Sequence, residues 1–241
     1  MARNPNWHRD ELILALDLYF NMSSGLMNAS NPQIVELSKI LNKLPIHTIR
    51  PDEVKFRNPN GVNLKLNNFK AFDPNYDGVG MERGGKLDEE VFQEFRNERI
   101  RLHQIADQIR KTVENDQLSL ELYSIENEDS SEIKVKEGRT LYKLHKFKER
   151  KPLINKKKKE FILHSTGKLL CEVCDKDHYH FYGELGYQYI ECHHKSPISE
   201  IVGEVETTLD DLAVVCANCH RMLHSNISVF NVETLRNHIR I

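Results

Sequence analysis

The stretch that decides the fold of the C-terminal part is CANCHRMLH, which covers residues 216–224. Its cysteines, Cys216 and Cys219, have the CxxC spacing that is typical of one half of a zinc site. Its histidines, His220 and His224, are four residues apart and share one face if the segment is helical. The nonapeptide therefore predicts two adjacent metal-binding groups, each of which needs further ligands from elsewhere in the chain.

The other CxxC pair, Cys171 and Cys174, is separated from Cys216 by 41 residues. Four thiolates favour a closed tetrahedral Zn²⁺ site, which stabilises a small fold and leaves no coordination position open for catalysis. The alternative, a set of structural thiols without a metal, fits this spacing poorly. The fifth cysteine, Cys192, is predicted to fill a buried strand position, with metal ligation as its alternative role.

Two further histidines lie between the cysteine pairs, in the stretch YIECHHKSPIS. Adjacent residues on a regular strand face opposite ways, so His193 and His194 can serve one site only where the strand ends or bends. If that strand end meets the helix of His220 and His224, then His193, His220 and His224 can together hold one divalent cation. Such a site would leave coordination positions open for water and phosphate, and His194 would serve as the general base.

This set of groups is what hydrolysis of a phosphodiester requires. An imidazole can accept a proton from water near neutral pH, and a cation stabilises the charge that develops on the phosphate and the leaving oxygen. Arg221 and Lys195, each beside one of the histidines, are candidates to hold the phosphate. The alternative for both is ordinary surface charge.

The motifs that carry these residues are CEVC, ECHHKSPIS, LDDLAVVCANC and HRMLH. They resemble those of the HNH (ββα-metal) endonucleases, most closely the zinc-knuckle branch with McrA-type, modification-dependent restriction enzymes. The resemblance covers residues 135–241 and implies two strands and a helix around a catalytic metal. It also implies that His193, His220 and His224 are metal ligands and that His194 is the general base.

The sequence departs from the family pattern at Asp211, where these enzymes usually have an asparagine that braces the loop of the general base. An ionised aspartate accepts hydrogen bonds but donates none, so either the brace differs or Asp211 contacts the cation. The candidate catalytic residues are therefore His194, Asp211 and Arg221.

The N-terminal part predicts three short helices, over residues 9–22, over Pro32–Leu44 with Asn31 as N-cap, and after an N-cap at Asn60. Three helices in this order are compatible with a helix-turn-helix. The third helix would then present polar residues outward to DNA: Asn63, Lys65, Asn67 and Lys70. The alternative is a plain three-helix bundle with a solvated polar face.

Charge and periodicity divide the rest of the chain. A long helix is predicted over residues 88–114, with Asp88 as its cap. Residues 114–132 contain seven acids and no base, which is typical of a solvated or disordered connector. Residues 134–160 contain twelve Lys/Arg and three Glu, interleaved with Tyr142 and Phe147, and are predicted to contact phosphates unless they only form a solvated face.

Composition restricts the class of protein. A net charge of -2 and 29% charged residues describe a highly charged globular chain, and neither a signal peptide nor a membrane span is expected. We therefore expect a cytoplasmic protein with reduced cysteines and no membrane partner. The expected fold class is α+β, mostly α. Its expected parts are a helical, helix-turn-helix-like DNA-recognition domain (1–114), an acidic linker (115–134) and a ββα-metal HNH domain with a structural zinc (135–241).

The leading hypothesis is a metal-dependent DNA endonuclease, specifically a modification-dependent (type IV-like) restriction enzyme for bacterial defence. Its cofactors would be a structural Zn²⁺ and a catalytic Mg²⁺, Mn²⁺, Ni²⁺, Co²⁺ or Zn²⁺. Its expected partners would be DNA, in modified or unmodified form, and a second copy of the chain in a homodimer. The alternatives are a zinc-stabilised DNA-binding module without catalysis and a toxin or homing-type HNH nuclease.

Overall fold

The computed structural model describes residues 3–78, 84–124, 140, 143–144, 147, 152–196, 207–225 and 231–239. These residues divide into two compact units. The N-terminal unit contains the described residues up to 124 and residue 140, and the C-terminal unit contains the described residues from 143 to 239.

The described part of the N-terminal unit is helical. Its helices are α1 (Arg9–Asn21), α2 (Pro32–Lys43), α3 (Pro59–Phe69), α4 (Lys86–Phe95), α5 (Arg99–Glu114) and α6 (Asp116–Ser124). Helix α1 lies at the centre, because its residues from Leu12 to Leu16 are wholly buried and it packs against α2, α3, α4 and α5. The helix predicted over residues 9–22 is thus confirmed within one residue.

The predicted start of α2 is confirmed, and that of α3 is wrong by two residues. The side chain of Asn31 accepts a hydrogen bond from Gln33 N, and Pro32 opens the helix. The N-cap of α3 is Asn58 and not Asn60, because the Asn58 side chain accepts from Gly61 N at 2.8 Å and Pro59 takes the first helical position.

One residue that was predicted to face DNA points elsewhere. Lys65 Nζ lies 2.7 Å from Asp88 Oδ2, and the two side chains are 11% and 4% exposed. Asp88 was predicted to cap a helix, but it is the third residue of α4, where its carboxylate accepts from Gly85 N. Lys65 is therefore held by an ion pair within this unit, and the outward polar face of α3 is smaller than the sequence suggested.

The long helix predicted over 88–114 is wrong, because the chain breaks between α4 and α5. Residues 96–98 are not helical, and Glu98 N donates to Phe95 O across the break. Residues 96–101 are all exposed, including the apolar Ile100, so no buried apolar side chain lies between Phe95 and Leu102. The predicted stripe residues on both sides of the break are buried: Val91, Phe95, Leu102, Ile105, Ile109 and Val113.

The structure also differs from the predictions for the acidic connector and the basic segment. The predicted acidic connector contains helix α6, and Leu122 within it is wholly buried. Residues 125–134 lie outside the described residues, as does Tyr142. In the basic segment Lys143 and Lys158 are buried, so these two side chains do not face solvent phosphates.

A buried ion pair lies beside α1. Glu11 accepts two hydrogen bonds from Arg57, at 2.6 Å from Nε and at 2.8 Å from Nη2. His47 Nε2 lies 3.1 Å from the same carboxylate, and Trp7 covers the guanidinium at 4.6 Å. Because both charges are shielded from water, this group fixes the loop before α3 against α1.

The C-terminal unit is built around a two-stranded antiparallel sheet. Its described elements are α7 (Pro152–Thr166), α8 (His178–Tyr182), α9 (Glu184–Tyr189), β1 (Ile190–His194), β2 (Leu212–Cys216), α10 (Ala217–Ser225) and α11 (Val232–His238). The register pairs Ile190 with Cys216 and His194 with Leu212. The described residues are therefore mostly helical with one small two-stranded sheet, as the α+β prediction stated. No helix within the described residues is both long enough and apolar enough to span a membrane.

Candidate metal centres

The four paired cysteines form one cluster. One sulfur atom from each of them lies within 4.8 Å of the others: Cys171, Cys174, Cys216 and Cys219. In a tetrahedral site with Zn–S bonds of about 2.3 Å, the sulfur atoms would be roughly 3.8 Å apart. The Cys174 and Cys216 sulfurs are 4.0 Å apart. The donor set and its spacing thus fit a closed structural zinc site.

Hydrogen bonds hold the first knuckle against β2. Glu172 N donates to Val214 O at 2.8 Å, and Val214 N donates back to the Glu172 carboxylate at 2.8 Å. Cys216 N donates to the Cys171 sulfur at 3.2 Å. Burial and the neighbouring Cys171 thiol raise the pKa of Cys219. The ionised form of Cys219 is therefore disfavoured, and a bound cation would compensate its charge.

Three histidines form a second cluster next to the first. One ring nitrogen from each of His193, His220 and His224 lies within 4.8 Å of the others. The Nε2 atoms of His220 and His224 are 3.0 Å apart, and the His193 ring centroid lies 5.4 Å from that of His220 and 5.0 Å from that of His224. Tetrahedral coordination at about 2.0–2.1 Å would place the nitrogens roughly 3.3 Å apart, so this donor set fits one divalent cation.

The elements around the sheet explain how these side chains meet. His193 lies on β1 opposite Ala213, whose small side chain occupies little space beside the imidazole. Helix α10 begins at the end of β2 and contacts both strands. His220 and His224 are one helical turn apart, so both lie on the same side of α10.

Glu191 is a residue that the sequence reasoning missed. Its Oε2 contacts Nδ1 of His220. A carboxylate on Nδ1 favours the tautomer in which Nε2 carries the lone pair, and it raises the basicity of that nitrogen. The available signal was its position two residues before His193, which places both on one face of β1.

Residues 171–226 match the family model described as HNH endonuclease. The matched segment contains all four clustered cysteines, both strands and α10. Comparisons of the chain with curated proteins and with solved structures gave no match. The C-terminal unit therefore contains an HNH endonuclease domain whose four cysteines are positioned to bind a metal.

The second histidine of the HH pair lies outside the three-histidine cluster of the HNH domain. His194 is 3% exposed, and its Nε2 lies 3.5 Å from Thr207 Oγ1. It stands at the end of β1, where the sequence predicted that the strand must stop for both histidines to serve one site.

The HNH domain uses Asp211 as a cap. Its carboxylate accepts from Thr208 N at 2.8 Å and from Thr208 Oγ1 at 2.6 Å, and these hydrogen bonds lower the pKa of Asp211. Its backbone carbonyl accepts from Lys195 N at 2.9 Å, next to His194. Both hydrogen bonds from Thr208 use Oδ2 of Asp211, and the two expected roles, an altered brace and contact with the cation, stay proposals.

The remaining candidates in the HNH domain are not members of either metal-binding group among the described residues. Arg221 and Lys195 are exposed, Arg221 on α10 and Lys195 directly after β1. Cys192 is buried in the core, and its sulfur lies 3.7 Å from Asn155 O. In the described part of the chain Cys192 belongs to neither metal-binding group, so its predicted buried strand position fits better than ligation.

Proposed function

We propose that this chain is a metal-dependent DNA endonuclease that hydrolyses phosphodiester bonds. The observation that carries the proposal is the convergence of His193, His220 and His224 within an HNH-type segment. A cation with three ligands from the protein has open coordination positions for water and substrate. A purely structural metal site does not need such open positions.

The residues would divide the reaction between them. A divalent cation held by His193, His220 and His224 would supply stabilisation of the negative charge that develops on the phosphate. His194 would accept the proton of the attacking water, since an imidazole has a reference pKa of about 6.5. Arg221 is exposed beside His220 and would bind a non-bridging phosphate oxygen. Glu191 would keep His220 oriented towards the cation.

The donor set constrains the choice of metals. Four thiolates suit Zn²⁺ at the structural site. Imidazole ligands suit Zn²⁺, Ni²⁺, Co²⁺ or Mn²⁺ better than they suit Mg²⁺, although open positions for water and phosphate oxygens allow several ions to function. We therefore expect activity with Mn²⁺, Co²⁺ or Ni²⁺ at least equal to that with Mg²⁺.

The finer proposal is a modification-dependent restriction enzyme whose N-terminal unit reads the DNA. Its support is the resemblance to McrA-type enzymes and the polar residues Asn63 and Asn67 of α3, which are partly exposed. A panel of unmodified, methylated, hydroxymethylated and phosphorothioated DNA tests it. Cleavage confined to one modification supports the proposal, and equal cleavage of all four substrates contradicts it.

The zinc-stabilised DNA-binding module without catalysis stays as a second candidate, because Asp211 replaces the asparagine of the family and His194 is almost wholly buried. His194→Ala separates the two. For an enzyme we expect plasmid nicking to fall by at least about 100-fold, as is typical when a general base is removed. His164→Ala, at an exposed histidine of α7, is the matched control and should keep wild-type activity. Equal nicking by wild type and His194→Ala would contradict the assigned base.

A further inference from the structure

The helices α8 and α9 join the first cysteine pair to β1, and the proposed function gives them no role. Their sequence, with the glycine between them, is HYHFYGELGYQY. We call this segment, residues 178–189, the aromatic hairpin.

The backbone of the aromatic hairpin is fixed by two glycines. Gly183 joins the helices with a φ of 63°, a conformation that other residues rarely adopt. A Cβ at Gly186 would lie 1.7 Å from His178 O, so only glycine allows the helices to approach this closely. The directions of the aromatic side chains are therefore set by the fold of the segment.

The aromatic hairpin divides its rings between the core and the solvent. Tyr179 and Tyr187 pack against the core of the C-terminal unit. Four other large side chains are exposed: Phe181 (76%), Leu185 (73%), Tyr182 (57%) and Tyr189 (37%). The Phe181 and Tyr182 rings are 4.6 Å apart. A contiguous exposed group of this kind indicates a binding surface more strongly than single exposed residues do.

Hydrogen bonds join the aromatic hairpin to two neighbouring helices, α7 and α10. On one side Tyr189 OH donates to Asn218 Oδ1 at 2.9 Å, and Asn218 lies on α10, the helix of His220 and His224. On the other side Lys159 Nζ donates to Tyr187 O at 3.0 Å from α7, a helix that also carries the exposed lysines Lys156 and Lys157. The aromatic hairpin is thus hydrogen-bonded both to a lysine-rich helix and to the helix that carries two histidines of the cluster.

We propose that the aromatic hairpin binds unpaired bases of DNA, which stack on Phe181 and Tyr182. Every base has a π-face that can stack on an exposed ring, and the lysines of α7, which contacts the hairpin through Lys159, supply charge for phosphates. The inference deepens the proposed function, because it names DNA with unpaired nucleotides as the preferred ligand of the HNH domain. A protein partner is the competing occupant, and the lysines of α7 favour the polyanion.

The test is a binding measurement on the full chain with no divalent cation added, so that cleavage does not interfere. The probes are fluorescein-labelled dT15 and a blunt duplex, followed by anisotropy. Phe181→Ala should weaken binding of dT15 by roughly 5- to 150-fold and leave the duplex almost unchanged. Phe181→Leu should weaken dT15 binding almost as much, because leucine keeps the apolar area and lacks the π-face. Ile100→Ala, at an 80% exposed apolar residue of the N-terminal unit, should bind like wild type.

Two outcomes would overturn the inference. One is dT15 affinity that is the same in wild type and Phe181→Ala. The other outcome combines two results: Phe181→Leu binds dT15 as tightly as wild type, and Phe181→Ala converts a dimer to a monomer in sedimentation. The aromatic hairpin would then be an interface between two copies of the chain. A plasmid-nicking assay with Mn²⁺ separates the two proposals. If the chain nicks plasmid but substitution of Phe181 leaves its dT15 affinity unchanged, only the proposal for the aromatic hairpin is refuted. If substitution of Phe181 weakens dT15 binding but the wild-type chain does not nick plasmid, only the nuclease proposal is refuted.

Discussion

The two units of this chain are stabilised in different ways. The N-terminal unit surrounds a wholly buried helical segment, residues 12–16, and contains the Glu11–Arg57 pair. The C-terminal unit has two strands of five residues and a four-cysteine cluster within its core. Short helices around a two-stranded sheet bury a small apolar core, so we infer that metal binding at the four cysteines contributes to the stability of the C-terminal unit.

The two metal-binding groups of the C-terminal unit show a second difference. The cysteine cluster supplies four ligands and is largely buried, whereas the histidine cluster supplies three and has two half-buried members. Both depend on α10, because Cys219 and His220 are adjacent in it. The cysteine cluster can therefore position the histidine cluster. Loss of the metal at the four cysteines should also disrupt the three-histidine site.

The largest expected effect is that of Cys219→Ser. Binding of structural zinc to a small fold is worth roughly 10–16 kcal/mol at pH 7, and loss of one thiolate removes much of it. We expect the variant to lose bound zinc and all nicking activity, and hydrogen exchange to increase across β1, β2 and α10. The N-terminal unit should keep its protection, and Cys192→Ser, at the cysteine outside the cluster, should retain zinc. Normal zinc content in Cys219→Ser would contradict the assigned cluster.

In the N-terminal unit we expect the next largest effect from Glu11→Gln. Removal of one buried charge leaves Arg57 uncompensated and costs about 3–5 kcal/mol of unfolding free energy. The only tryptophan, Trp7, lies in this unit, so its fluorescence during urea unfolding measures the change. Glu36→Gln, at an exposed ion pair of α2, should change the unfolding free energy by less than about 0.5 kcal/mol.

The pH dependence of the same signal gives a further check on Glu11. Burial by itself would raise its pKa, but hydrogen bonds with His47 and Arg57 lower the pKa below its ordinary value of 4.5. The ionised carboxylate therefore stabilises the unit above that value, and the contribution is lost as pH falls through the lower folded-state pKa. Wild type should lose more stability than Glu11→Gln on acidification below pH 4.5, and parallel curves would refute this role.

The smallest of these effects is expected for Glu191→Gln. Glutamine can still accept a hydrogen bond from His220 but carries no charge, so the imidazole becomes a weaker ligand. Changes to such a supporting residue typically reduce metal affinity 10- to 100-fold. Calorimetric titration with Co²⁺ into the zinc-loaded chain measures it, and Glu184→Gln on α9 is the matched control. Wild-type Co²⁺ affinity in Glu191→Gln would show that Glu191 does not support His220.

The sequence predicted the two clusters well because ligand spacing is local. CxxC and HxxxH each place two donors together by backbone geometry alone, and the HH pair before Pro197 indicated a strand end. Glu191 was missed because its partner, His220, is 29 residues away and the contact depends on how β1 meets α10. The direction of Lys65 was predicted wrongly for the same reason, since Asp88 lies 23 residues further along the chain.

Helix boundaries were likewise predicted well where local sequence decides them and poorly where tertiary packing decides them. The starts of α1 and α2 follow from local periodicity and capping residues, and the prediction placed both correctly. The break between α4 and α5 was not predicted, because the two halves of the apolar stripe look continuous at helical spacing. Only packing distinguishes one long helix from two shorter helices that each reach the core.

The most direct test of the central claim is plasmid nicking with Mn²⁺ by wild type and His224→Ala, after both have been shown to contain one equivalent of zinc. His224 belongs to the three-histidine cluster and not to the cysteine cluster, so the substitution separates the candidate catalytic cation from the structural metal. We expect nicking by wild type and a loss of at least about 100-fold in the variant with its zinc content unchanged. Equal nicking by the two proteins would contradict the assignment of a working cation to the three imidazoles.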